Sequence, residues 1–450
     1  MTIYVAANWA VCGLVSILLL ALFVWQRFLF VKPSVIVVTF FHVCIQWAAA
    51  VDAGEIERFL PSPWVFFVLA QLFPLIALSV SVITFRNGAH RVWTRLITRR
   101  QSPPRQQGKA ILILIFVIAA IIYCYLSIVP VSQTGLYSIF FDPEQSTLAR
   151  EHSLKELEVG WIRYAFSFTI SSFGPLLAAV LFTRLIYRRR KFSLMQCLWV
   201  FPAIAAVMIV VSISGARSFA ASIVLILSLV WALERGFRLN PLIIIFLGFA
   251  GLSLPVVLSI YREGGVISVS KYWQYMTGSI FDRVFHMPMQ TGLYYTHYAQ
   301  TEGFLGVQAV ERLSSITGVK YFNAPHELGI IYYPQWASDA LNMNTCYVFA
   351  YYSYFGVVAM PFCLLGLWLL DFAIIIYKKL SDRLLLACCA TVSVASLSLI
   401  SVEYTVALLS NGIIITLLTA YAVDRFFCSP LNDAKKRPRS LSTHLSPSAP

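Results

Sequence analysis

An all-α membrane protein of about eleven spanning helices is what three observations predict. Apolar residues fill 59% of the 450 positions, charged residues 12%, and mean hydropathy is +0.76. The apolar residues gather into runs of bilayer length. The basic residues between those runs fall on alternate sides. A water-soluble core cannot absorb so much apolar surface, whereas a bilayer can.

Crossing ~30 Å of hydrocarbon at ~1.5 Å per residue takes about twenty residues. Runs near that length lie at 8–26, 34–51, 64–85, 110–131, 161–183, 193–213, 218–233, 241–260, 346–370, 384–402 and 404–423. The seventh is short, and the ninth can extend to Ile376. The first lacks a basic leader and a small-residue cleavage site, which predicts a retained helix. No internal repeat is visible, which weighs against inverted-repeat transporters.

Basic residues in membrane proteins collect on the cytoplasmic side. With the N-terminus outside, the inner segments hold 24 of the 34 lysines and arginines and only 5 of the 20 acidic residues. The inner side carries +19 and the outer −5, within a total of +14. The basic residues are thus topology signals spread over short loops, and nucleic acid is not an expected partner.

Among the connections, 52–63 is short and acidic. The inner segment 86–109, with Pro103-Pro104, reads as a basic tether. In 132–160, residues 153–158 read as the start of a surface helix leading to Trp161. From Ser429 the Ser, Pro and basic composition predicts a disordered tail. The nine cysteines lie in or beside apolar runs without a CxxC pair, so neither a disulfide framework nor a zinc site is expected. The chain divides into a membrane bundle at 1–260, a long outer segment at 261–345, a second group of spans at 346–428 and the tail at 429–450.

Segment 261–345 is the one long interval without a spanning run, and chemistry is expected there. It holds three of the seven histidines, six acidic residues, five basic residues and fifteen aromatics. Four outer clusters stand out. In Ser214-Gly215-Ala216-Arg217-Ser218, Arg217 sits in a turn too short to leave the membrane surface. Its planar fork suits a phosphate or carboxylate; snorkelling to lipid headgroups is the plainer role. Tyr261-Arg262-Glu263-Gly264-Gly265 reads either as a turn that brings backbone close to a ligand or as an ordinary helix stop with a local ion pair.

The third cluster, 268–300, carries Lys271, Asp282, Arg283 and His286. Trp273, Met276, Ile280 and Val284 recur at three and four, predicting a helix on or over the bundle. Arg283 is either a second positive charge or a solvated one. In the fourth, Asn323-Ala324-Pro325-His326-Glu327 precedes Tyr332, Tyr333, Trp336 and Asp339. A histidine beside a carboxylate offers a base or acid near neutral pH, and the aromatic faces suit sugar rings. A polar loop packed on the bundle is the competing reading. The HExxH metal motif is absent because position 330 is isoleucine.

Asn344-Thr345 ends the long segment and is followed by Tyr351-Tyr352-Ser353-Tyr354-Phe355-Gly356. With the Gly215-Ala216-Arg217-Ser218 turn and Arg262 after the eighth run, this layout resembles the Wzy-type O-antigen (oligosaccharide repeat-unit) polymerases. The resemblance covers the layout of the whole chain through short motifs. It implies a GT-C-like bundle in the bacterial inner membrane, with the long loop and the N-terminus periplasmic and the tail cytoplasmic. It implies transfer of a growing glycan from undecaprenyl diphosphate onto another lipid-linked repeat unit, with no nucleotide sugar; no cofactor is expected, and no metal ligands are assigned. A chain-length regulator is the implied partner.

Carried over, Arg217 and Arg262 would clamp the diphosphate. His326, or Glu327, would orient or deprotonate the acceptor, and Glu263 would position Arg262 or compete as base. Arg283, Tyr332, Tyr333, Trp336, Asp339, Asn344 and Thr345 would bind substrate or close the loop onto the bundle. The chain departs from the family in having no arginine of the long segment that aligns with a second family arginine; Arg283 and Arg312 stand as candidates. Two other functions fit: an O-antigen ligase delivering glycan to lipid A core, and a lipid-linked oligosaccharide flippase. The flippase predicts charge at mid-membrane depth, yet Arg163 and Glu403 lie near outer ends and Asp371 near an inner end.

Overall fold

A computed structural model describes residues 2–98, 107–141, 160–186, 194–215, 217–237, 249, 253, 256–257, 260, 268–336 and 341–428, and every regular element among them is helical. Among the described residues eight helices are long and apolar enough to cross a bilayer: Ile3–Trp25, Pro33–Val51, Pro63–Ile83, Ile111–Ile128, Gly160–Ile186, Tyr347–Tyr377, Asp382–Ile400 and Tyr404–Phe426. Two shorter apolar helices, Cys197–Val211 and Phe219–Glu234, fall on the sixth and seventh runs. The eighth run, 241–260, lies largely outside the described residues. The chain is a polytopic helical membrane protein.

The bundle is centred on Gly174–Ile186 and Asp382–Ser396, which pack on each other and on Arg217–Glu234, with Leu194–Val211 against Gly174–Ile186. Small residues let these axes approach: Ala178, Ala179, Ala387, Cys388, Cys389 and Ala390 are all fully buried. The cysteines serve here as small apolar fillers.

Two polar groups of contacts lie inside this apolar frame. Pro33–Val51 and Pro63–Ile83 each contain a π-helical stretch, His42–Gln46 and Val68–Leu72. The Gln46 amide donates to the Gln71 carbonyl at 3.0 Å, and the Gln71 amide returns a bond to the Gln46 carbonyl at 3.0 Å. His42 Nδ1 meets Gln46 Oε1 at 2.7 Å, and its Nε2 lies 2.9 Å from Ser16 Oγ. A π-bulge frees a backbone carbonyl from the helical ladder, and the two glutamines supply the missing partners.

Toward the expected inner end, Lys32 Nζ lies 2.9 Å from Asp371 Oδ2 with both side chains fully buried. Ser34 Oγ donates to the same carboxylate at 2.7 Å, and Lys32 also donates to the Thr84 carbonyl at 2.7 Å and to that of Ser81. Three spans are thereby tied together at one point. Both charges were expected near inner ends; their pairing was not.

Some connections differ from expectation. The first half of the supposed basic tether is a docked helix, Arg86–Thr98, with Ala89, Val92 and Leu96 buried. Its apolar residues recur at three and four, and the arginines take the other face. Arg95 fastens it to Asp382 at 2.9 Å and to the Lys378 and Leu380 carbonyls. Within the acidic 52–63 segment, Ala53–Phe59 is helical, with Ala53 and Ile56 buried. The surface helix expected at 153–158 and the tail from 429 lie outside the described residues.

Candidate functional site

The long segment packs on the bundle through the helix Met287–Thr301, with Met276–His286 against His42–Gln46 and Gly306–Ala309 against Tyr347–Phe355. Pro288 sits at its start, where a missing N–H costs no ladder bond. Its buried residues Pro288, Met289, Thr291, Gly292, Tyr295, Thr296 and Ala299 form one stripe at helical spacing. That stripe packs on Tyr347–Phe355 and on the His42–Gln46 stretch. Gly292 allows the contact: a Cβ there would lie 2.5 Å from the Phe349 ring. Thr291 and Thr296 satisfy their hydroxyls on the Met287 and Gly292 carbonyls, so neither is left polar against the bundle.

Two clusters flank this helix. On one side the Tyr294 ring stacks on Tyr332 at 4.5 Å and meets Tyr333 edge-on at 5.6 Å. Phe59 covers Tyr294 and lies 4.5 Å from the His297 ring. His297 Nδ1 is 2.7 Å from the Tyr332 hydroxyl, and the Tyr333 hydroxyl donates to Gln290 Oε1 at 3.2 Å. Burial lowers the His297 pKa from its ordinary value, against an opposing pull from Glu302. Burial also raises the Tyr332 and Tyr333 phenols, so both stay protonated donors. Nearby, Asp52 Oδ2 lies 3.3 Å from His286 Nδ1, and burial raises the Asp52 carboxyl while His286 pulls it down.

On the other side is Glu403, between the Leu397–Ile400 turn and the Tyr404–Leu409 helix. The Tyr354 hydroxyl donates to Glu403 Oε1 at 2.5 Å. Tyr295, Tyr321 and Tyr351 lie within electrostatic range of this carboxylate. Burial raises the Glu403 carboxyl, and the Tyr354 bond lowers it in part. Beside it a cleft of about 410 Å³ is walled by Tyr347, Tyr351, Phe355, Phe362 and Tyr404.

Of the residues expected to act, Tyr332 and Tyr333 are brought together through Tyr294. His326 lies on the same helix, Ala324–Tyr332, with Nδ1 at 3.0 Å from the Leu341 carbonyl. A carbonyl only accepts, so the neutral ring carries its proton on Nδ1 and leaves the Nε2 lone pair available. Glu327 and Arg283 are exposed, as is Asn344. Thr345 is buried, and its hydroxyl has no hydrogen-bond partner among the described residues.

Arg217 is the first residue of Arg217–Glu234, directly after a turn pressed against Gly135–Phe141. There Gly215 has φ +79°, and a Cβ on it would lie 2.9 Å from the Gly135 carbonyl carbon. Trp336 ends the Pro334–Trp336 turn. Arg262, Glu263 and Asp339 lie outside the described residues.

Sequence reasoning did not single out Glu403, Tyr354, Tyr294 or His297 as site residues. Glu403 was visible as the one carboxylate between the last two spans; its tyrosine partners come from distant segments. Among the described residues no three His, Cys, Asp or Glu side chains are grouped to hold a metal ion. No family model, curated protein or solved structure matches the chain.

Proposed function

We propose that this chain is a membrane glycosyltransferase that joins undecaprenyl-diphosphate-linked oligosaccharide repeat units into a surface polysaccharide. The reading includes a GT-C-like bundle of about eleven spans in the bacterial inner membrane, with segment 261–345 periplasmic. The observation that carries it is the aromatic and polar roof formed by Tyr294, His297, Tyr332 and Tyr333, seated on the spans by Met287–Thr301. Stacked phenol rings with hydroxyls at their edges bind pyranose faces and sugar hydroxyls together. Membrane spans beneath such a roof suit a substrate whose other end is a lipid. Arg217 and Arg262 would meet the diphosphate as negative charge develops on it, and His326 Nε2, without a partner among the described residues, would orient the acceptor by a hydrogen bond. A chain-length regulator would be the protein partner.

The test is complementation of a strain lacking the polymerase. Wild type should restore a ladder of glycan lengths. Arg217→Ala, Arg262→Ala and His326→Ala, at equal membrane abundance, should leave single repeat units. A ladder from all three variants defeats the site assignment. Capped lipid A core without a ladder would identify a ligase instead.

A second reading, a lipid-linked oligosaccharide flippase, is favoured by the His42–Gln46–Gln71 network at bilayer depth, because polar groups there are costly and often mark a transport route. It predicts that loss of the gene leaves repeat units on the cytoplasmic leaflet, where a polymerase defect leaves them on the periplasmic one.

A further inference from the structure

We propose that Glu403 takes the proton of the attacking sugar hydroxyl, with Tyr354 holding its carboxylate in place. The inference rests on the glycosyl-transfer reading above and adds to it a residue drawn from the geometry.

Glu403 is half-buried where three parts of the fold converge. Tyr354, buried in the Tyr347–Phe355 helix, donates to Oε1 at 2.5 Å. Tyr295, on the roof helix, lies within electrostatic range of the carboxylate and is itself anchored by its hydroxyl on the Met343 carbonyl at 3.2 Å. Tyr321, 41% exposed, lies within the same range from the loop side. The next residue along the chain, Tyr404, lines the aromatic cleft together with Tyr351. A carboxylate one residue along the chain from the wall of such a cleft suits a substrate that is apolar at one end and hydroxylated at the other.

Other carboxylates of the outer region are placed differently. Glu302, Glu311 and Glu327 are exposed, and Asp52 is engaged by His286. Burial raises the Glu403 carboxyl, and a carboxylate of raised basicity is the better proton acceptor.

The step balances. The acceptor oxygen forms its bond to the donor's anomeric carbon while its hydrogen passes to a Glu403 oxygen. The bond from the anomeric carbon to phosphate oxygen breaks, and its electron pair leaves on the diphosphate. Glu403 then returns the proton to water.

The experiment uses the full chain in lipid nanodiscs and, as probe, undecaprenyl-diphosphate-linked repeat units extracted from cells lacking this gene. Glu403→Gln keeps the shape and can still accept from Tyr354. It should slow bond formation by about 10²–10⁴-fold while the repeat unit still binds. Glu55→Gln, at an exposed carboxylate of the Ala53–Phe59 helix, should stay within about twofold of wild type, since a solvated carboxylate given no role in the site takes no part in this step.

The pH profile separates chemistry from structure. Activity requires the ionised carboxylate, so it is lost as pH falls through the Glu403 pKa. The groups facing it, Tyr295, Tyr321, Tyr351 and Tyr354, are phenols that ordinarily titrate near ~10, and Glu311 lies beyond Tyr321. Tyr354→Phe removes a bond that favours the charged form, so the acid limb should move to higher pH.

A wild-type rate in Glu403→Gln overturns the proposal. So does an acid limb unmoved in Tyr354→Phe, which also decides the matter if Glu403→Gln fails to accumulate. Wild type that binds the units yet forms no polymer overturns the glycosyl-transfer reading itself.

Discussion

Lys32 and Asp371 carry a large electrostatic penalty at the scale of single residues. Both are fully buried, and each compensates the other at 2.9 Å. Removing one partner leaves an unpaired charge away from water, a cost of about 3–5 kcal/mol. Lys32→Ala should therefore sharply lower the thermal midpoint of the purified protein, read by fluorescence-detected size exclusion. Lys32→Met combined with Asp371→Leu should recover most of the loss, because the pair is then replaced by apolar volume. Equal loss in the single and double variants would mean that the lysine's bonds to the Ser81 and Thr84 carbonyls matter more than its charge. The pairing was not legible from the sequence: both residues look like ordinary charges near helix ends, and the Ser34–Asp371 contact spans 337 positions.

Between elements, the fit of Met287–Thr301 against Tyr347–Phe355 decides whether the roof is fixed. Phe349 is fully buried and stacks on Phe66 at 5.3 Å and on Phe41 at 6.3 Å, so its ring has little room to retreat from Gly292. Gly292→Ala should cost about 1–3 kcal/mol by overpacking and raise hydrogen exchange in Met287–Thr301. Phe349→Leu added to it should relieve part of that loss, giving a favourable coupling in the double-mutant cycle. The apolar spacing in 268–300 announced a helix over the bundle. It did not announce the π-helical stretch Met276–His286 or the depth of the contact. Those depend on a glycine meeting one particular ring.

For the whole molecule, the charge partition predicts an N-terminus on the outer side of the membrane and a C-terminus in the cytoplasm. A fluorescent protein that matures only in the cytoplasm should fluoresce when fused after residue 450. Cysteine introduced at exposed Glu302 should react with an impermeant maleimide in intact cells, above the level of the unsubstituted chain. Labelling only after lysis would invert the orientation and move the roof, Glu403 and the arginines to the cytoplasmic side.

Membrane character and the rough positions of the spans were determined by the sequence alone, because bilayer thickness sets a run length that composition must satisfy locally. The helical docking of 86–98 was also written in its spacing, although its basic charge drew attention first. Tertiary structure decided which polar residues meet. Gln46 and Gln71 face each other because two π-bulges coincide. Tyr294 and Tyr295, neighbours in sequence, turn to opposite clusters because successive residues on a helix point about 100° apart. Glu403 acquires Tyr354, Tyr295 and Tyr321 only when three distant segments pack at one end of the bundle. Run length and charge alternation act along the chain, whereas a site is made across it.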